Sequence, residues 1–279
     1  PPDELRLEVK KKLGAGFEAE CDAHFVNMPQ NYFLFRDTES VVSHIRQFRE
    51  FFVQLSGNRA ESGLNPLMRW TDHPGKGHSE LTVACWDRHL LLARVAGSLA
   101  AENINILGAD FYQRKDDLVL DVFRVCTQKL GPVTSKSARK RVEGRVFESF
   151  KELKFDFSEA IKERRKHEVK YEEVSDEIPQ RVYVSNSISP EHTVVELQVV
   201  DRLGLLNDVF VAIGSMDFSV THARINTEKG MAIDTIYVQT EDDRQIEDAA
   251  VLEKLEDTLC FVLFGKDRHG RVMKRKTAS

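Results

Sequence analysis

Six consecutive residues, Asp201-Arg202-Leu203-Gly204-Leu205-Leu206, bring a carboxylate, a glycine and the start of a helical apolar pattern into one short stretch. The chemistry open to such a stretch is binding rather than bond breaking. A strand-to-helix turn presents the N–H groups of the first helical turn, and these groups and the helix dipole hold a carboxylate. Asp201 is placed to accept hydrogen bonds from the orphan N–H groups of that turn. Gly204 allows backbone angles, and an approach by another group, that a side chain would block.

The flanking patterns supply the elements. From Thr193 to Val200, Val195, Leu197 and Val199 alternate with Glu196 and Gln198, which is strand periodicity. After the glycine, Leu205, Leu206, Val209, Phe210 and Ile213 recur at helical spacing. The arrangement occurs twice. Leu81–Trp86 alternates, Asp87-Arg88-His89-Leu90 follows, and Leu91, Leu92, Val95, Ala96 and Leu99 repeat the helical offsets. Leu118–Phe123 then answers Met231–Ile236. An internal duplication outranks any single motif. Asp87, Arg88, His89 and Leu90 form a second, weaker candidate site, with Leu90 where the glycine would stand.

Each repeat reads as β-α-β-β-α-β. Strands are expected at Ile104–Gln113 and Leu118–Cys126. Helical character follows over Ser135–Lys166, with Val142, Val146, Phe147 and Phe150 as an apolar face. Arg181–Ser185 is expected as the last strand of the first repeat and Cys260–Phe264 as that of the second. Ile246, Ala249, Ala250, Leu252, Leu255 and Leu259 mark the second repeat's second helix. The fold class is α+β, with two ferredoxin-like units and an N-terminal α/β extension. Within that extension residues 4–27 have a weak helical tendency, and Asn27–Phe35 reads as a turn and a short strand. Asp37 caps a helix whose face is Val41, His44, Ile45, Phe48 and Phe52. Asn58–Gly63 reads as a loop, Met68–Trp70 as an edge strand and Tyr171–Glu177 as an acidic linker. The divisions are 1–75 for the extension, 76–188 and 189–265 for the two units, and 266–279 for a basic, frayed tail. Lone four-stranded units leave open edges, so the repeats are expected to pair edge to edge into one sheet of about eight strands.

Bulk properties exclude several classes. Of 279 residues, 41% are hydrophobic and 30% charged, with a net charge of −5, which gives no basic surface for nucleic acid. No apolar run reaches the roughly 20 residues of a membrane span. The four cysteines are scattered without a Cys-x-x-Cys pair, so no zinc or redox motif is present and a reducing cytoplasm is expected. His73 and His78 flank a glycine-rich turn but have no further ligands at metal spacing. Pro74-Gly75-Lys76-Gly77 lacks P-loop spacing. His222 reads as a sheet residue, and Asp116-Asp117 and Asp242-Asp243 as turn residues. No metal and no cofactor is expected. The first residue is Pro1 rather than Met, so the sequence reads as trimmed from something longer.

The second repeat, with Asp201, Gly204, Leu205 and Leu206, then Ala223 and Ile225, then Gly230, Ala232 and Asp234, resembles an ACT domain, a small amino-acid-binding regulatory module. The tandem resembles the C-terminal regulatory region of the bacterial bifunctional enzymes that add and remove uridylyl groups on PII signalling proteins. Met28–Phe33 followed by His44, Asp87-Arg88 followed by leucine, and Arg181–Asn186 leading to His192–Leu197 carry this likeness. The catalytic parts of such enzymes are absent: no Asp-x-Asp follows Gly97-Ser98 or Gly214-Ser215, and no His-Asp dipeptide occurs.

The resemblance implies a non-catalytic sensor of a small amino acid, glutamine, that acts on a catalytic domain or a PII-type protein, with homodimerisation through ACT sheets. The alternatives are part of an active uridylylating enzyme and a pairing scaffold without ligand. An amino acid also brings an ammonium group. Asn207 offers an acceptor, as do Asn103 and Asn105 at the helix-to-strand corner of the other repeat.

Overall fold

Asp37 starts a 19-residue helix, and its carboxylate accepts from the Ser40 N–H at 2.8 Å. This helix, α4 (Thr38–Ser56), follows α1 (Pro2–Leu13), α2 (Glu18–Asn27) and α3 (Gln30–Leu34). The computed structural model describes residues 2–57, 65–152, 154–165, 179–228 and 230–271. The expected loop at Asn58–Gly63, the acidic linker at Tyr171–Glu177 and the tail from residue 272 lie outside them. Two units result: Pro1–Thr71, Glu80–Arg88 and Phe111–Val122 form one, and Asp72–Ser79, His89–Asp110 and Phe123–Ser279 the other.

In the first unit, α4 buries Val41, His44, Ile45, Phe48 and Phe51, each large apolar side chain worth about 1.5–3 kcal/mol. Phe52 does not join them. The buried arc turns toward Gln47 and Phe51, so Phe51 is 1% exposed and Phe52 41%. Phe52 lies edge-on to Phe51 and Trp86 instead. Gln47 donates to the carbonyls of Leu67 and Thr82. The strand expected after Asn27 is the helix α3. Pro29 precedes its first turn with an extended backbone, and Tyr32 is wholly buried, its hydroxyl 2.8 Å from His44 Nδ1.

Among the described residues nine strands follow: β1 (Leu67–His73), β2 (His78–Trp86), β3 (Ile104–Gln113), β4 (Leu118–Thr127), β5 (Arg181–Ser185), β6 (Thr193–Val200), β7 (Ser219–Arg224), β8 (Thr227–Glu228) and β9 (Met231–Gln239). Their hydrogen-bonded order is β1-β2-β4-β3-β7-β9-β6-β5, with β8 on β9. The repeats join through antiparallel pairing of β3 with β7, where Ala109 faces Ala223. Helices of the second unit are α5 (Leu91–Ala101), α6 (Lys136–Lys151), α7 (Ser158–Arg165), α8 (Leu205–Gly214) and α9 (Ala249–Phe264). The helical run expected over Ser135–Lys166 is therefore two helices. Asp156 holds the Ser158 N–H at 2.8 Å where α7 begins.

The ferredoxin-like sheet positions are kept, but the chain fills the outer one differently from expectation. β5 does not close the first repeat; it pairs antiparallel with β6, Val182 facing Leu197. Cys260–Phe264 is not a strand but the end of α9, in which Leu255, Leu259 and Cys260 are buried at helical spacing. No turn residue interrupts that spacing, and Gly265, at φ 70°, stops the helix. The outer strand therefore precedes each repeat, β5 beside β6 and β1 beside β2, giving β-β-α-β-β-α in chain order.

Candidate functional site

β6 delivers the chain into the second-repeat turn. The Asp201 N–H donates to the Gly230 carbonyl at 2.9 Å. Asp201 does not cap α8, as its position before the helix suggests. Its Oδ2 accepts from the Thr227 hydroxyl at 3.1 Å, and the residue at the helix cap is Gly204, at φ 82°, with no side-chain cap. Arg202 and Asp208 close the turn with an ion pair of 2.6 Å. Leu203, Leu205, Leu206 and Asn207 are buried.

The first-repeat turn repeats this backbone. Asp87 donates to the Asp117 carbonyl at 2.9 Å, as Asp201 does to Gly230. Leu90 adopts φ 57° without a side-chain cap, a left-handed conformation that costs a non-glycine residue roughly 1 kcal/mol. Its side chain lies so close over Gly214 that a Cβ there would collide with Leu90 Cδ2. Arg88 follows Asp87 in this turn, and the His89 carbonyl accepts from Arg94 Nε at 3.2 Å.

The predicted acceptors are placed differently. The Asn207 side chain donates to the Ala93 carbonyl at 2.9 Å, tying α8 to α5. The Asn105 Oδ1 accepts from Gln128 at 2.8 Å and the Asn103 carbonyl from the same amide at 3.2 Å. The end of α5 does come to the Gly204 turn: Ala100, Ala101 and Leu203 share one apolar cluster. Phe157 and Ile161 complete that cluster. A Cβ on Gly204 would sit 3.0 Å from Ile161 and 3.4 Å from Arg165. Arg165 donates to the Leu203 carbonyl through Nε at 2.9 Å and Nη2 at 2.6 Å.

Three features escaped the sequence reading. The segment Phe155–Arg165 covers the turn; its signal was Phe155, Phe157 and Ile161 within a charged run. Glu102, its side chain 1% exposed, is met by Arg141 at 2.7 Å, Arg145 at 2.8 Å and Arg164 at 3.7 Å. Burial raises this carboxyl, but the Arg141 and Arg145 hydrogen bonds outweigh it and hold it below the ordinary value. Glu102, Arg141, Arg145, Phe155 and Phe157 line a groove of about 420 Å³. Third, each repeat buries a carboxyl: Asp121 and Asp234 each have an Oδ2 without a hydrogen-bond partner among the described residues. Burial, with Asp201 nearby, pushes Asp234 up to about 7, and burial raises Asp121 as well. Among the described residues no group of three His, Cys, Asp or Glu could hold a metal ion. No helix among them is long and apolar enough to cross a membrane.

Residues 181–265 match the family described as "ACR9-like, ACT-like domain", a stretch that runs from the start of β5 to Gly265 after α9. The chain is also similar to "Bifunctional uridylyltransferase/uridylyl-removing enzyme" of Gluconobacter oxydans, 29% identical over 238 residues, covering 82% of this chain and 23% of that protein. The same enzyme of Rhodospirillum rubrum is 26% identical over 92% of this chain and 26% of its own length. The chain thus spans about a quarter of the length of the curated relatives it matches. A solved structure described as a putative glycine cleavage system transcriptional repressor aligns over 67% of this chain at 14% identity with a TM-score of 0.23, which carries no argument. β5 through α9 is an ACT-like domain of ferredoxin-like fold, and the chain resembles the ACT-bearing, C-terminal regulatory part of bifunctional uridylyltransferase/uridylyl-removing enzymes.

Proposed function

We propose that this chain is a non-catalytic sensor of a small amino acid, glutamine, in cytoplasmic nitrogen signalling. The two regulatory units, expected at 76–188 and 189–265, are proposed to begin instead at their outer strands, β1 and β5. The observation that carries the reading is the side-by-side pairing of the repeats: β3 bonds to β7, and the end of α5 shares a cluster with Leu203 of the glycine turn. The Gly204 turn, Asp201 to Asn207, forms the working site. Its helix start takes the ligand's carboxylate, and main-chain carbonyls such as that of Leu203 take the ammonium. The Leu90 turn, filled by its own side chain, binds nothing or binds weakly.

Ligand binding favours the paired arrangement that it contacts best and passes that state to a catalytic domain of a longer polypeptide or to a PII-type protein. The names of the relatives favour such a catalytic context. Homodimerisation would use the outer strands of the sheet. Calorimetry of this chain against the twenty amino acids tests the reading. One site selective for glutamine is the expected result; no heat with any amino acid leaves the pairing scaffold in its place.

A further inference from the structure

The repeats are related by an approximate two-fold whose centre is visible in two contacts. Ala109 pairs with Ala223, and Asn207 reaches Ala93 across 114 residues, the offset that also relates Ala109 to Ala223 and Leu90 to Gly204. Two equivalent clefts follow. In one, the Leu90 side chain packs on Gly214. In the other, Gly204 has no side chain, and Ala100 stands where Gly214 would. Ile161 fills that space, clustered with Ala100 and Leu203. Phe157 enters beside it over Gly97, where a Cβ would collide with the ring.

What fills the second cleft has the parts of a ligand. Arg165 brings a cation to the Leu203 carbonyl, where an α-ammonium would bond. Ile161 brings an aliphatic group to the glycine. Arg164 reaches the Ala101 carbonyl at 3.1 Å, so α7 spans the cleft from lip to lip. The helix itself holds on by one buried isoleucine and two arginines that remain partly exposed, with the buried Phe157 anchoring the chain just before it.

We propose that α7 is a built-in competitor for the amino-acid site, and that the ligand binds by displacing it. The proposal rests on the sensing function above. It predicts that the apparent affinity is the intrinsic affinity scaled by the fraction of molecules with α7 off, so weakening α7 tightens binding. The test uses L-glutamine calorimetry on the full chain and on Arg165→Ala and Ile161→Ala. Arg165 is partly exposed, so its variant folds even where Ile161→Ala does not. Binding about tenfold tighter in Arg165→Ala is expected, the scale of one charge-assisted hydrogen bond. Amide exchange across residues 158–165 of the parent should also rise when glutamine is added.

Three results overturn the proposal. If the parent binds glutamine and Arg165→Ala binds equally or more weakly, α7 is no competitor, while the sensing function stands. If exchange in α7 falls on binding, the helix closes over the ligand instead of leaving it. If no amino acid binds parent or variants, the sensing function fails and takes the proposal with it.

Discussion

The side-chain amide of Asn207 donates 2.9 Å to the carbonyl of Ala93, the residue that holds its own position in the other repeat. A residue bonded to its counterpart marks the axis of a duplication, and only one partner needs the polar group. Asn207→Ala should lower stability by about 1 kcal/mol, the net worth of such a bond. The melting temperature of the purified chain should drop by a few degrees, and a variant melting with the parent would show that the bond is idle.

Gly97 gives room to Phe157 and to Asn207, whose amide would lie 2.7 Å from a Cβ at that position. Gly97→Ala should therefore overpack the cleft at a cost of about 1–3 kcal/mol. It should also loosen the Phe155–Arg165 segment, so limited proteolysis should cut there sooner than in the parent. Equal cleavage rates would mean that Phe157 relaxes without moving the segment.

Asp234 gives stability an unusual dependence on pH. Its carboxyl is pushed up to about 7 by burial, so the folded chain binds the proton more tightly than the unfolded one. Its contribution is present in full below the unfolded value near 4 and is lost as pH rises through 7. Asp121 acts in the same direction. Asp234→Asn keeps an acceptor for the Asn226 N–H and carries no charge. The variant should lose less stability than the parent between pH 5 and 8 in urea titrations; parallel curves would contradict the buried acid.

Glu102 works with the opposite sign. Burial raises it, but its arginine hydrogen bonds win and leave it below its ordinary value. Its contribution is present above the unfolded value near 4.5 and is lost as pH falls through the lower folded value. Glu102→Gln should cost about 1–2 kcal/mol at pH 7, discounted because its arginine partners are partly solvated. The difference from the parent should shrink in denaturation below pH 4; a constant difference would mean that shape, not charge, is what Glu102 supplies.

The strands and the duplication were legible because a sheet with one buried face writes its period into the sequence. Val195, Leu197 and Val199 are buried while Glu196 is exposed. The outer strand was not legible. Arg181–Ser185 has strand character on either side of a repeat boundary, and only pairing with β6 decides which repeat it joins. Leu255, Leu259 and Cys260 keep helical spacing into a stretch rich in strand-forming residues, and tertiary burial settles the matter for helix. At the site, the glycine turn was legible because a left-handed backbone asks for a glycine. The actual partners of Asp201, Asn207 and Asn105 lie 26, 114 and 23 residues away, and no local pattern encodes them. Leu90 shows the limit of the glycine rule, since it holds φ 57° with a full side chain.

Leu90 also sets the arithmetic of the proposed response. It fills one of two equivalent clefts with its own side chain, so the proposed sensor would have one cleft to titrate among the described residues. A lone cleft yields a hyperbolic saturation curve, with no partner inside the molecule to sharpen it. On the proposed function, the duplicated fold would report concentration gradually, like a dial, and any threshold in its output would arise downstream or from a second copy of the chain.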